Sequence, residues 1–160
     1  MDDEPLNHID RRILHLLQVD ARGKRDTDIA EETDVTGTTV ANRIERLEDR
    51  GIIRGYHPEI DYEEAGYPLV ILFVGTVPVT ERKTIADQAR DVLGVVDVKQ
   101  LLSGEENIHV QAVAESTDRI EQITEELDSI GLQIHRSDII SEHTTQPWDH
   151  FHIEVAEDEE

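Results

Sequence analysis

Thr36-Gly37-Thr38-Thr39-Val40-Ala41-Asn42-Arg43-Ile44-Glu45-Arg46-Leu47-Glu48-Asp49-Arg50-Gly51 is the stretch on which the reading of this chain turns. Thr36 is the residue type that caps a helix N-terminus, and Gly51 suits the left-handed residue just past a helix C-terminus. At about 100° per residue, Thr39, Asn42, Arg43, Arg46 and Arg50 fall within one arc about 100° wide. Val40, Ile44 and Leu47 fall in a narrower arc roughly 115° away. The apolar stripe predicts packing on a core. The arc beside it predicts hydroxyl, amide and guanidinium groups turned outward, with Glu45, Glu48 and Asp49 on the remaining face. In a chain of formal net charge -22, a helix face cleared of carboxylates points to a nucleic-acid groove. A solvated face laced with ion pairs three and four residues apart is the plainer reading of the same pattern.

The flanking sequence favours the groove. Upstream, Leu6, Ile9, Ile13, Leu14 and Leu17 recur at helical spacing behind a cap near Asn7, and Gly23 is expected to end that segment. Asp26 is expected to cap a short second helix through about Thr33, with Ile29 and Ala30 inward and a turn at Asp34-Val35. Downstream, residues 52–60 predict two short strands turning at Gly55, a small wing. Three helices and a wing, the third helix carrying the polar face, make a winged helix-turn-helix over residues 1–60.

Residues 61–67 read as a linker. Residues 68–78 form a near-continuous apolar strand. Thr80 is expected to cap a helix whose inward positions are Ile85, Ala86, Ala89, Val92 and Leu93, stopped by Gly94. Residues 95–103 and 108–114 predict strands about a tight turn at Gly104-Glu105-Glu106-Asn107. Thr117 is expected to cap a helix with Ile120, Ile123, Leu127 and Ile130 inward, and residues 132–141 predict the last strand. The order βαβ–βαβ is a ferredoxin-like split arrangement over residues 68–142, so the fold class is α+β. One sheet face lies opposite the helices, and a strand as apolar as Val70-Ile71-Leu72-Phe73-Val74 predicts that a second copy covers it. Residues 143–160 read as an extension, with an extra strand or arm over 143–155 and a frayed acidic end at 157–160.

Composition sets further bounds. The chain of 160 residues holds 37 acids against 15 bases, and its only lysines are Lys24, Lys83 and Lys99. High acid and low lysine combined with periodic aliphatic segments predict a folded, halophilic protein of a salt-rich cytoplasm. Residues 1–60 carry net charge -5 and residues 61–160 net charge -17. With no cysteine, disulfides and thiolate metal or redox sites are excluded. The opening Met-Asp-Asp-Glu does not read as a signal peptide, and the longest apolar run, residues 68–79, is too short to cross a bilayer as a helix. The expectation is a soluble cytoplasmic protein with no membrane partner. No P-loop, dinucleotide fingerprint or nucleophile elbow is present, so neither an enzyme nor a cofactor is expected.

The segments Leu6-Asn7-His8-Ile9-Asp10-Arg11-Arg12-Ile13-Leu14 and Thr36 to Ile53, followed by a βαββαβ pattern, resemble the Lrp/AsnC (leucine-responsive or feast/famine) family of transcription regulators. The resemblance runs from about residue 5 to 142. It implies a regulator that binds double-stranded DNA, pairs through its C-terminal sheets into dimers and often octamers, and holds an amino-acid effector between subunits near the turn joining the second and third strands of that domain. That turn in the family reads Gly-x-x-Asp, and here it ends in Asn107. The effector site implied is Leu102, Ser103, Gly104, Glu105, Glu106 and Asn107, with an amide in place of a charge. For Gly104 a hairpin residue at positive φ is an equal reading.

For DNA, Arg43, Arg46 and Arg50 are expected to contact bases or phosphates, Asn42 to suit adenine, and Thr36, Thr38 and Thr39 to touch a phosphate or a thymine methyl. Lys24, Arg25 and Arg54 fit backbone contacts. Arg43 and Arg46 are expected to lie off the core face, so that removing either should not lower stability much. Arg11 and Arg12 read as solvated or paired with Asp10. Two alternatives stand beside the regulator. One is a metal-responsive protein using His150-x-His152, His143, and His109 with His135 if their strands adjoin, although three or four converging ligands are needed. The other is an interaction adaptor that binds no DNA.

Overall fold

The computed structural model describes residues 5–102 and 104–147. It divides into two compact units, one extending through Pro58 and the other Glu59–His143.

In the first unit, α1 (His8–Val19) begins at a reciprocal cap: the Asn7 side chain accepts from the Asp10 N–H at 3.0 Å, and the Asp10 carboxylate accepts from the Asn7 N–H at 3.3 Å. The helix ends at Val19, ahead of Gly23. The Asp20 carboxylate takes the N–H groups of Arg22 and Gly23 and turns the chain. Helix α2 (Asp26–Thr33) is capped by Arg25, one residue before the expected Asp26, and Asp28 reaches back to the Arg25 N–H at 2.9 Å. Asp34 comes next, in the left-handed region at φ 53°. Helix α3 (Gly37–Asp49) starts as expected, the Thr36 hydroxyl accepting from the Thr39 N–H at 3.2 Å. Ile13, Leu16, Ile29, Ala30, Val40 and Leu47 form the core of the three helices.

The expected wing strands do not form: residues 54–60 contain no strand and are exposed. The end of α3 explains this. Gly51 sits at φ 69°, and the Ile52 and Ile53 N–H groups both turn back onto the Leu47 carbonyl. These amides satisfy the open end of the helix and cannot start a ladder. Pro58 has no N–H to donate further on. The chain leaves α3 as an extended loop, tied back where the Tyr56 hydroxyl donates to the Glu48 carboxylate at 2.8 Å.

The second unit is β1 (Leu69–Thr76), α4 (Arg82–Asp91), β2 (Val95–Gln100), β3 (Ile108–Ala114), α5 (Thr117–Ser129) and β4 (Gln133–Ile139), an antiparallel sheet in the order β2-β3-β1-β4. This is the ferredoxin-like split arrangement. Helix α4 is capped at Glu81 and α5 at Ser116, each one residue from the expected position. Because α4 stops at Asp91, Leu93 leaves the helical period and is exposed, while Val92 stays buried. Strand alternation sends Ile71, Phe73, Ile108, Val110, Ala112 and Ala114 into one core with Ile85, Ala89, Ile123 and Leu127. Val70, Leu72, Val74, His109, Gln111 and Val113 take the other face. His109 on β3 and His135 on β4 do not adjoin, because β1 lies between their strands.

Residues 143–147 form no strand, and the rest of the expected arm and the acidic end lie outside the described residues. Among the described residues no helix is long and apolar enough to cross a membrane.

Candidate nucleic-acid interface

Helix α3 lies on the core through Val40 and Leu47, with Ile44 half-buried. Its exposed residues are Thr38, Ala41, Asn42, Glu45, Glu48 and Asp49. Thr39, Arg43, Arg46 and Arg50 occupy the flank between that face and the core, and all four are half-buried. The arginines at 43 and 46 do not point freely outward as expected. Asp10 of α1, only 1% exposed, accepts from Arg43 Nη1 at 2.7 Å and from Arg46 Nη2 at 3.2 Å. Arg43 Nη1 also reaches the Asn7 side chain at 3.3 Å.

The physical reason lies in reach and desolvation. An arc roughly 115° from the core stripe is a helix flank, and an arginine stem spans the boundary from there. A carboxylate buried to this degree is tolerable only with cationic partners. The side chains of Arg43 and Arg46 are 22% and 42% exposed. Both arginines therefore partner a buried carboxylate, and removing either is expected to lower stability. Arg12 meets Glu32 of α2 at 2.9 Å.

Glu32 also accepts from Lys24 Nζ. Lys24 first and then Arg12 hold the Glu32 carboxyl below the usual carboxylate range. Arg25 is exposed and pairs with Asp28 at 3.3 Å. Arg54 is exposed on the loop after α3. Partial burial and the hydrogen bond to Glu48 push the Tyr56 phenol up to about 12. The cationic side chains around α3 are thus largely engaged with carboxylates of their own unit.

The hairpin turn between β2 and β3 is built from β1. Leu101 N–H donates to the Asn107 carbonyl at 2.9 Å and closes the turn. Gly104 holds φ 102° with open space about it. Leu102 is 94% exposed, Glu105 and Glu106 are exposed, and Ser103 lies outside the described residues. Asn107 departs from the others. It is buried, and its side chain pairs in both directions with the Val77 backbone, accepting from N–H at 2.9 Å and donating to C=O at 2.8 Å. An amide can do this and a carboxylate cannot, since a carboxylate has no proton for the carbonyl. The Thr76 hydroxyl donates to the Glu105 carbonyl and bonds His135 Nε2 at 2.8 Å. Glu106 faces Arg136 at 3.5 Å. The role of Asn107 was not foreseeable from the turn's own residues, since its partner is 30 residues upstream.

Among the described residues no group of three or more His, Asp or Glu side chains converges to hold a metal. His150 and His152 lie outside them.

The winged helix-turn-helix DNA-binding family matches residues 6–54. The chain is 30% identical over 126 residues to an HTH-type transcriptional regulator of Pyrococcus furiosus, covering 79% of this chain and 82% of that relative. Its fold is similar to a transcriptional regulator of Neisseria meningitidis solved in complex with L-methionine, with TM-score 0.75 and 20% identity over 89% of this chain and 94% of that one. It is also similar to an AsnC family transcriptional regulator of Agrobacterium tumefaciens, with TM-score 0.73 and 18% identity over 89% of this chain and 94% of that one.

Proposed function

Because this chain belongs to the Lrp/AsnC family of DNA-binding transcription regulators, we propose that it lays α3 in the major groove of its operator and answers to a small amino-acid-like effector. The observation that carries the first half is the exposed polar face of α3, capped by Thr36 and standing opposite its own core stripe. Thr36 caps α3, Lys24 and Arg25 precede α2 and Arg54 follows α3, and we assign all four to phosphate contacts that set register. The working division is a DNA-binding domain over residues 1–60, a connecting segment over 61–67 and an assembly and effector domain over 68–142.

Val70 and Leu72 lie half-buried on the sheet face away from the helices, which supports a dimer joined through that face and, by extension, an octamer. The Neisseria structure holds L-methionine, and that supports a small effector here. Leu102, Ser103 and Gly104 would shape the pocket rim. Glu105 favours an ammonium group and disfavours a bare carboxylate, and Glu106 adds negative charge that it shares with Arg136, so a polar or cationic ligand fits better than a neutral aliphatic amino acid. Asn107 serves as the anchor of the turn. The acid-rich, lysine-poor composition supports a saline cytoplasm. The relatives are regulators, and we infer no enzymatic activity.

Footprinting on the DNA upstream of its own gene and its neighbours, with and without each amino acid, tests the reading. The expected result is protection at paired half-sites on one face of the duplex, shifted by one or a few effectors. Absence of protection across a range of salt would exclude the groove assignment. Protection indifferent to every amino acid would exclude the effector half alone.

A further inference from the structure

We infer that α3 reads base edges through Thr38, Asn42 and Glu45, and that Arg43, held by Asp10, is a positioning residue for the helix and does not read a base. The inference rests on the DNA-binding reading and assigns its specificity.

Thr38, Asn42 and Glu45 fall within about 60° of one another at 100° per residue, on the side directly opposite Val40 and Leu47. All three are exposed, while Val40 and Leu47 are fully buried. They lie within the first nine residues of a 13-residue helix, and a recognition helix meets bases with its N-terminal residues. A helix that packs by Val40 and Leu47 therefore offers these side chains first to whatever approaches it.

The arginines are set back from that face. To bring Arg43 to a guanine edge would strip a carboxylate that is 1% exposed of its 2.7 Å partner. Arg46 is bound to the same carboxylate. The same two contacts tie α3 to the first turn of α1, where Asp10 also closes the helix cap. Arg43 and Asp10 thus fix where α3 stands, and the specificity lies with the shorter side chains.

The chemistry of the three then defines the sequence read. The Asn42 amide matches the N6 donor and N7 acceptor of adenine, and Thr38 offers a methyl to thymine. Glu45 is the discriminating member. A carboxylate only accepts, so it is repelled by guanine O6 and N7 and by thymine O4, and it accepts from the N4 amino group of cytosine. An acid on the reading face of a DNA-binding helix loses affinity for phosphate and gains rejection of wrong bases. The half-site predicted holds a cytosine beside adenine and thymine, and no guanine read by arginine.

The test is selection of duplexes from a randomised library by the full-length protein in concentrated KCl, followed by sequencing. The wild type should enrich a motif with one such cytosine per half-site. Glu45→Gln should exchange that cytosine for adenine and leave the other positions alone. Asn42→Ala should lose on the order of tenfold discrimination at one adenine. Arg43→Gln should weaken binding to all duplexes by a similar factor with the motif unchanged. The Asp10→Asn/Arg43→Gln double variant, which removes both charges, should keep the same motif and bind better than Arg43→Gln alone. Loss of a guanine preference in either Arg43 variant, or a motif untouched by Glu45→Gln and Asn42→Ala, would overturn the assignment while leaving DNA binding in place. A wild type that enriches no motif would overturn the DNA-binding reading itself, and this assignment with it.

Discussion

Replacing Arg43 by alanine leaves Asp10 buried with one guanidinium fewer. Asp10 is 1% exposed, and Arg43 is its nearer cationic partner, at 2.7 Å against 3.2 Å for Arg46. Removing one member of a buried ion pair costs about 3–5 kcal/mol, because the remaining charge stays desolvated. Arg46 still reaches the carboxylate, so the expected loss is about 3 kcal/mol, the lower end of that range. The converse change, Asp10→Ala, is milder. It leaves two cations whose side chains are 22% and 42% exposed and already reach water, and it removes one side of the α1 cap, worth about 1 kcal/mol. Its total should be about 1–2 kcal/mol. Urea titration followed by hydrogen exchange in α1 and α3 measures both variants within the first unit. With a urea dependence of about 1–3 kcal/mol per molar, Arg43→Ala should lower the midpoint by roughly 1–3 M. Equal losses for the two variants, or an Arg43→Ala loss no larger than that of Arg25→Ala at an exposed pair, would refute the argument that desolvation of Asp10 governs this site.

Three further outcomes are expected. Asn107→Asp should cost about 2–3 kcal/mol at neutral pH, because the Val77 carbonyl loses its donor and meets a buried carboxylate; unchanged urea stability would show that the amide is not needed there. The Tyr56 phenol, raised to about 12 in the folded state, stabilises the fold fully below the ordinary phenol value near 10, and this contribution is lost as pH rises through about 12. Ultraviolet titration should show the Tyr56 phenol ionising late, and Tyr56→Phe should flatten the alkaline decline in stability; a Tyr56 phenol ionising near 10 would contradict it. Sedimentation in concentrated salt should show a dimer or larger even assembly that Leu72→Asp dissociates; a wild-type monomer at micromolar concentration would remove the sheet face as an interface.

Most of the architecture is legible in the chain because its signals are local. Thr36 and Gly51 bracket α3 by cap chemistry, and the alternation at Ile108, Val110, Ala112 and Ala114 names both the strand and its buried face. The illegible parts depend on partners far along the chain. A helical wheel places Arg43 correctly at the edge of the apolar stripe, but it carries no information about Asp10, 33 residues earlier. It therefore assigns to solvent a side chain that turns inward. Asn107 is misread for the same reason, since the Val77 backbone decides its role. The wing fails through competition. Ile52 and Ile53 have strand propensity, but their amides complete the end of α3.

Thr76 carries one hydroxyl proton, and it gives that proton to the Glu105 carbonyl. Toward His135 it can therefore only accept, which requires the ring to carry its hydrogen on Nε2. The tautomer of an exposed histidine is thus chosen by a carbonyl two bonds removed from it, through a shared hydroxyl.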